Sequence, residues 1–307
     1  MIRIGVDFGG TKIEVAALDR NGQFLARVRR PNPGVYEAAI AVVRDLVAEA
    51  EQKAGATVPH IGVGLPGSIS PKTGQMRNAN STWLNGRPFD RDLAAALGKA
   101  VRVANDANCF TLSEAVDGAG ADAKVVFGVI IGTGCGGGLV VNACQNGEGY
   151  LHNGPNGIAG EWGHAPLPWP SADERGAHTC WCGRTDCLET WISGTAFMAD
   201  FRLHGGEAAT GAEIVDLARA GDLVATSTLD RYLSRLGRAF AMVCDVLDPD
   251  VFVLGGGMSN VTEIYDRVPA TVARYMYSDI YETRIVPAKY GDSSGVRGAA
   301  WLWPWDT

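Results

Sequence analysis

Asp106 closes the short apolar run Val101-Arg102-Val103-Ala104-Asn105-Asp106-Ala107-Asn108, at a point where a strand ends and a helix is expected to begin. A carboxylate at the carboxyl end of a strand can act as a general base, taking the proton of a hydroxyl that attacks a phosphoryl group. The plainer role at such a junction is a helix N-cap. Phosphoryl chemistry also needs groups that hold phosphates, and three glycine turns offer them. They are Asp7-Phe8-Gly9-Gly10-Thr11-Lys12, Gly132-Thr133-Gly134-Cys135-Gly136-Gly137-Gly138 and Leu254-Gly255-Gly256-Gly257-Met258. Glycine admits positive φ and close approach, so several N–H groups can converge on one phosphate oxygen. Thr11 and Lys12 add a hydroxyl and a cation, and Asp7 can orient Mg²⁺ through water or simply stabilise its turn. One such turn is commonplace, but three on separate strands are hard to obtain by accident.

Seven cysteines would suit a secreted disulfide scaffold only in a much smaller chain, and three of them, Cys180, Cys182 and Cys187, crowd into eight residues. Thiolates at that spacing on a glycine-containing knuckle supply most of a tetrahedral Zn²⁺ site of the closed, structural kind. His164 and His178 are the candidates for the fourth ligand, with His152 a weaker third. His178 lies two residues before Cys180, whereas His164 would close a sixteen-residue loop. Further polar residues stand on glycine-punctuated segments: Asn78 and Asn80, Glu161 with His164, and Glu189 just past Cys187. Carboxylates and amides that exchange hydrogen bonds with vicinal hydroxyls are what a sugar site requires.

The elements that must position these groups read as alternating strands and helices. Strands near 2–7, 12–19 and 23–30, the last two joined by an Asn21-Gly22 turn, precede a helix from about Val35 to Ala54. A second lobe begins near Gly118-Ala119-Gly120 and holds a long helix from about Val224 to Leu247, followed by the strand Val251–Leu254. The third glycine turn leads from that strand into a helix near Asn260, where Pro269 predicts a kink or a late start. Ser294 to Trp303 is expected to return to the first lobe as a helix.

At 307 residues the length suggests about two domains. Apolar residues at 46% and charged residues at 20% are ordinary for a globular protein. A net charge of −7 argues against a broad basic face for nucleic acid, while leaving room for a small basic pocket. No apolar run approaches the ~20 residues that span a bilayer, and the chain opens on a strand rather than a leader, so a cytoplasmic protein is expected.

These motifs together resemble the ROK family of sugar kinases and repressors. The resemblance rests on Asp-Phe-Gly-Gly-Thr-Lys at 7–12, Asn-Asp-Ala-Asn at 105–108, Gly-Thr-Gly-Cys-Gly-Gly-Gly at 132–138, Gly-Glu-Trp-Gly-His at 160–164, the Cys-x-Cys-Gly-x-x-x-Cys-x-Glu run at 180–189 and Gly-Gly-Gly at 255–257. It covers essentially the whole chain. Within the family, Pro66–Pro71, Asn78–Gly86 and Gly291–Trp301 look like the bacterial fructokinase/mannokinase branch.

The resemblance implies an α/β chain with an actin-like ATPase (ribonuclease H-like) fold. Residues 1–117 would form the smaller domain, with 294–307 packed back on it, and 118–293 the larger, with the active site in the cleft between them. Gly9, Gly10, Thr11, Lys12, Gly132, Thr133 and Gly134 would contact ATP phosphates, and Gly255, Gly256 and Gly257 would lie near the adenosine. Asp106 would be the base; Asn105, Glu161, His164 and Glu189 would hold the sugar, with Gly67 and Asn80 lining the pocket. His164, rather than His178, would complete the zinc site with Cys180, Cys182 and Cys187. The loop from His164 to Cys180 varies in kinases of this kind, so its contacts do not carry over.

The implied activity is MgATP-dependent phosphorylation of the 6-hydroxyl of fructose, with mannose as a second acceptor, by a homodimer with no nucleic-acid or membrane partner. Glucose and N-acetylhexosamine kinases of the family are the alternative, and a non-catalytic sugar sensor is the reading from another class. A repressor would need a DNA-binding segment ahead of the first strand at Ile2, where none is expected.

Overall fold

The computed structural model describes residues 2–142 and 149–304. The expected C-terminal segment 294–307 is therefore described as far as Pro304, its last three residues lying outside the described ones, as do Met1 and 143–148.

The chain opens with β1 (Arg3–Phe8), β2 (Lys12–Leu18) and β3 (Phe24–Pro31), then α1 (Tyr36–Ala54), β4 (His60–Leu65), the short hairpin β5 (Ser68–Ile69) and β6 (Met76–Arg77), α2 (Phe89–Leu97), β7 (Ala100–Asn105) and α3 (Asp106–Val116). The β2–β3 turn is set by Gly22 at φ +71° and by the Asp19 carboxylate, which accepts from the N–H groups of Asn21 and Gln23 at 2.9 and 2.8 Å. The first sheet has the order β3-β2-β1-β4-β7, antiparallel across β3, β2 and β1 and parallel from β1 to β7. Parallel strands require buried faces, and β1 and β4 are accordingly buried along almost their whole length. Ala39, Val43, Leu46, Val47 and Ala50 line the buried stripe of α1 and join Val6, Phe8, Val15 and Val63 in one core.

Next come β8 (Val125–Ile131), β9 (Cys135–Val141), β10 (Tyr150–Leu151), α4 (Glu189–Ile192), α5 (Gly194–Leu203), α6 (Gly211–Arg219), α7 (Leu223–Leu247), β11 (Val251–Gly255), α8 (Glu263–Tyr275), β12 (Arg284–Pro287) and α9 (Ser294–Ala300). The second sheet has the order β10-β9-β8-β11-β12. On it, Phe252 of β11 stacks on Phe240 of α7, ring centroids 4.3 Å apart, and meets Phe127 of β8 edge-on at 5.9 Å.

The helix expected near Asn260 starts late, at Glu263, after a 3-10 turn over Gly257–Asn260. Pro269 lies within α8, and the helix runs on past it to Tyr275.

The chain divides into two compact units: residues 1–122, 138–159 and 289–307, and residues 123–137 and 160–288. Segment 138–159, expected in the second domain, groups with the first unit. In that unit α9 packs on β1, β4 and α3. The approach is possible because Gly5, Gly62 and Gly298 have no side chain. A Cβ at Gly5 would lie 2.1 Å from the Val296 carbonyl, one at Gly62 1.8 Å from that of Ala299, and one at Gly298 1.6 Å from that of Cys109.

Candidate active site

In the first unit Asp106 is the first residue of α3, and the N-cap is Asn105. The Asn105 Oδ1 accepts from the Ala107 N–H at 2.9 Å and its Nδ2 donates to the Gly67 carbonyl at 3.3 Å. The cap is therefore filled without Asp106, whose Oδ1 accepts from the same Ala107 N–H at 2.8 Å. Solvent reaches the Asp106 carboxylate, yet protein crowds it enough that the cost of desolvation raises its pKa, against the lowering effect of hydrogen bonds from the Ala107 N–H, its own N–H and the Asn105 side chain.

Asp7, near the carboxyl end of β1 in the same sheet, is half-buried and pushed up to about 6. Burial is the main cause, followed by the negative charges of Asp106 and Glu14, with Lys12 and Arg27 acting in the opposite direction. Glu14 faces Asp7 across the β1–β2 ladder and is itself held by Arg27. The Asp106 charge thus adds to burial in disfavouring ionisation of Asp7. Such a pair, with the exposed Thr11 and Lys12 at the adjoining turn, is suited to hold a cation and an anion side by side.

Gly67 is needed at φ +80°, where a Cβ would lie 2.4 Å from the Arg77 carbonyl. Beyond it, the Asn85 side chain accepts from the Ala79 N–H at 2.9 Å and donates to the Ala79 carbonyl at 3.1 Å, fixing the backbone next to the exposed Asn80. Asn85 carries this constraint without standing out in the sequence, where it reads as one more turn residue.

The glycine turns are not alike. Gly9, Gly10, Gly132 and Gly134 do not adopt positive φ, so conformational freedom is not what the first two turns need from them, and among Gly255–Gly257 only Gly256 does, at +80°. Gly134 and Gly256 provide nearness, whereas a Cβ at Gly132 or Gly257 would meet open space. A Cβ on Gly134 would lie 2.7 Å from a Glu189 oxygen, and one on Gly256 2.4 Å from the Ile131 carbonyl. β8 and β11 are paired, Gly255 opposite Ile130, which sets the second and third turns side by side in the second unit.

Also in that unit, His164, Cys180, Cys182 and Cys187 come together, with their ligand atoms all within 4.8 Å of one another. His164 Nδ1 lies 3.6 Å from Cys180 Sγ, and Cys182 Sγ lies 3.6 Å from Cys187 Sγ. Two sulfurs bound tetrahedrally to one Zn²⁺ stand about 3.8 Å apart, so the donor set and its spacing fit that ion. His178 lies outside the cluster, its ring packed against Trp191 with centroids 4.3 Å apart. His152 is not among the four either.

The knuckle is closed by Cys180 N–H donating to the Arg184 carbonyl at 2.8 Å, by Gly183 at φ +86°, and by the bridge Thr179↔Thr185. The proline-containing loop before it is anchored on α7 by Glu174, which bonds Arg235 Nε at 2.8 Å and Arg238 Nη2 at 2.9 Å. Burial disfavours the Glu174 charge, but hydrogen bonds from Arg238 and Arg235 outweigh it and hold the carboxyl at about 2.

Glu189 opens α4 and joins the two features of this unit. Its Oε2 accepts from the Cys135 N–H at 3.1 Å, at the second glycine turn, and its Oε1 from Trp181 Nε1 at 2.7 Å, on the knuckle. Trp181 escaped the sequence reading, although a tryptophan between two cysteines of a polar knuckle is a visible oddity. Glu161 precedes a 3-10 turn, and its carbonyl accepts from the His164 N–H at 3.1 Å.

Solved structures set the class. A ROK hexokinase from Thermus thermophilus aligns with a TM-score of 0.86 at 28% identity, over 98% of this chain and 97% of its own. A ROK family glucokinase from Streptomyces griseus, solved with glucose and AMPPNP, aligns with a TM-score of 0.74 at 27% identity, over 98% of both chains. The fold is that of the actin-like ATPases, with two α/β domains. The ROK family pattern matches residues 3–305, and the chain belongs to that family as one of its sugar kinases. Its relatives include the N-acetyl-D-glucosamine kinase of Vibrio atlanticus, 38% identical over 303 residues, 97% of this chain and 98% of that protein. Among the described residues no helix is long and apolar enough to cross a membrane.

Proposed function

We propose that the chain transfers the γ-phosphoryl group of MgATP to the 6-hydroxyl of a hexose, with N-acetyl-D-glucosamine the first acceptor to test. The observation that carries the reading is Asp106. It opens a helix whose cap is supplied by Asn105, so its carboxylate is left to accept a proton. The acceptor is drawn from relatives such as the Vibrio enzyme, whose name specifies N-acetyl-D-glucosamine. Fructose is the second reading, favoured by the Asn78–Gly86 and Gly291–Trp301 segments.

In the reaction the sugar O6 attacks the γ-phosphorus, its proton passes to Asp106, and ADP leaves with the electrons of the broken P–O bond. Asp7 orients Mg²⁺ through water, with Gly9, Gly10, Thr11, Lys12, Gly132, Thr133 and Gly134 around the phosphates and Gly255, Gly256 and Gly257 near the adenosine. Asn105, Glu161, His164 and Glu189 bond sugar hydroxyls, and Gly67 and Asn80 are further sugar contacts. His164, Cys180, Cys182 and Cys187 hold a structural Zn²⁺, which on binding ties the loop carrying His164 to the knuckle. A cytosolic homodimer is the expected form, and the six described cysteines, free of disulfides, suit a reducing compartment.

The test is ADP release from MgATP with N-acetylglucosamine, glucose, fructose, mannose and N-acetylmannosamine, run beside Asp106→Asn. Sugar-dependent release that disappears in the variant supports the reading. Sugar binding without release by the zinc-loaded protein would make the chain a sensor instead.

A further inference from the structure

Trp181 is conspicuous because it is 67% exposed, although tryptophan carries more apolar surface than any other side chain. It stands between two of the clustered cysteines, yet it contributes nothing to the core. Its contacts run to site residues. The indole Nε1 donates to Glu189 Oε1 at 2.7 Å, and the ring meets His164 edge-on with centroids 5.1 Å apart. The other oxygen of Glu189 is held by the Cys135 N–H at 3.1 Å. With one donor on each oxygen, the carboxylate plane is fixed from two directions and each oxygen keeps a lone pair for a further donor. Without the indole, Glu189 would be tethered at Oε2 alone, free to rotate about its last torsion, a broad and nearly two-fold well.

We propose that Trp181 is a positioning residue of the sugar site, fixing the Glu189 carboxylate in the plane from which it accepts sugar hydroxyls. This rests on the reading of Glu189 as a sugar ligand given above. Preorganisation of this kind acts on sugar affinity and on discrimination between hydroxyl patterns, and leaves nucleotide affinity alone. Because the side chain is exposed, its replacement is expected to spare the fold.

The experiment compares wild type, Trp181→Phe and Trp181→Ala by calorimetric titration with N-acetylglucosamine, glucose and AMPPNP, alongside zinc content and thermal melting. Phenylalanine keeps an aromatic ring at the position but removes the N–H donor, whereas alanine removes both. Both variants are expected to bind the sugar that wild type prefers about tenfold more weakly, as loss of a charge-assisted hydrogen bond implies. AMPPNP affinity, zinc content and melting temperature stay at wild-type values. Wild-type sugar affinity in Trp181→Phe overturns the proposal and leaves the kinase reading standing. A weakened affinity that comes with lost zinc or a lowered melting temperature overturns it too, because the indole would then be serving the knuckle. If wild type binds neither sugar, fructose, mannose and N-acetylmannosamine take their place in the same comparison, and binding of none of the five overturns the kinase reading and this proposal with it.

Discussion

Asp106 and the cysteine knuckle stand at opposite extremes of side-chain partnering. Asp106 is held only by groups beside it in the chain, the Ala107 N–H, its own N–H and the Asn105 side chain, and it sits near a second carboxylate whose pKa is pushed up to about 6. The knuckle is tied at nearly every residue. Cys180 and Gly183 bond within it, the Asp186 carboxylate accepts from Ala177 and His178 N–H at 3.1 and 3.2 Å, and Cys187 pairs with Pro166. The group proposed to gain and lose a proton is left with capacity to spare, while those proposed to hold geometry have theirs used up. Glu114 shows that the contrast concerns role and not residue type. Two turns along the helix that Asp106 opens, its carboxylate is fully buried and accepts from Ala119, Lys289 and Tyr290 N–H and from Ser294 Oγ at 2.8–3.0 Å.

The sharpest break of this comparison is Asp106→Asn. It keeps the shape and removes the base, so turnover should fall by about 10³-fold, within the range general base catalysis contributes. Sugar and AMPPNP affinities should stay within a few-fold of wild type, read by titration, and turnover near the wild-type value would remove Asp106 from the base role.

Next in size is the knuckle. Cys187→Ser should reduce bound zinc from one ion per chain to a small fraction, measured by elemental analysis, and lower the melting temperature. His178→Ala should leave zinc content unchanged, since His178 packs on Trp191. If the two variants lost zinc equally, His164 would not be the fourth ligand.

Glu114→Ala strands several buried donors and should cost about 3 kcal/mol in urea unfolding. Its turnover per folded molecule should remain far above that of Asp106→Asn, which sets support apart from chemistry on one helix.

How much of this was legible in the sequence follows from what each feature depends on. Asp106, the glycine turns and three of the four clustered ligands are local signals, and the strand and helix periods around them are strong enough to read. The fourth ligand was a choice between histidines, because a sixteen-residue loop has to fold before His164 meets Cys180. Glu114 was illegible because a lone glutamate in a helix looks like a surface residue until segments 119 and 289–294 converge on it. Trp181 and Glu189 are eight residues apart, and their bond depends on the left-handed Gly183 and Asp186 between them, at φ +86° and +58°. The glycine turns were legible in place but not in cause, since steric nearness to Glu189 and Ile131 comes from other strands and helices.

The smallest effect tests the same contrast through stability. Asp7 has a folded pKa of about 6 against an ordinary 3.8, so the folded chain binds its proton more tightly than the unfolded chain does. A raised pKa contributes stability that is fully present below 3.8 and is lost as pH rises through about 6. Above that pH the charged Asp7 is a burden of at most about 3 kcal/mol, less with solvent screening of a half-buried group. Asp7→Asn removes the charge, so in the absence of ligand it should melt a few degrees higher than wild type at pH 8, with the advantage vanishing near pH 4. The same variant should lose sugar-dependent turnover through poorer Mg²⁺ orientation, gaining stability where it loses function. A melting temperature at pH 8 equal to or below that of wild type would mean that Asp7 is paid for by partners within its own unit, and the under-partnered character assigned to this carboxylate pair would then belong to Asp106 alone.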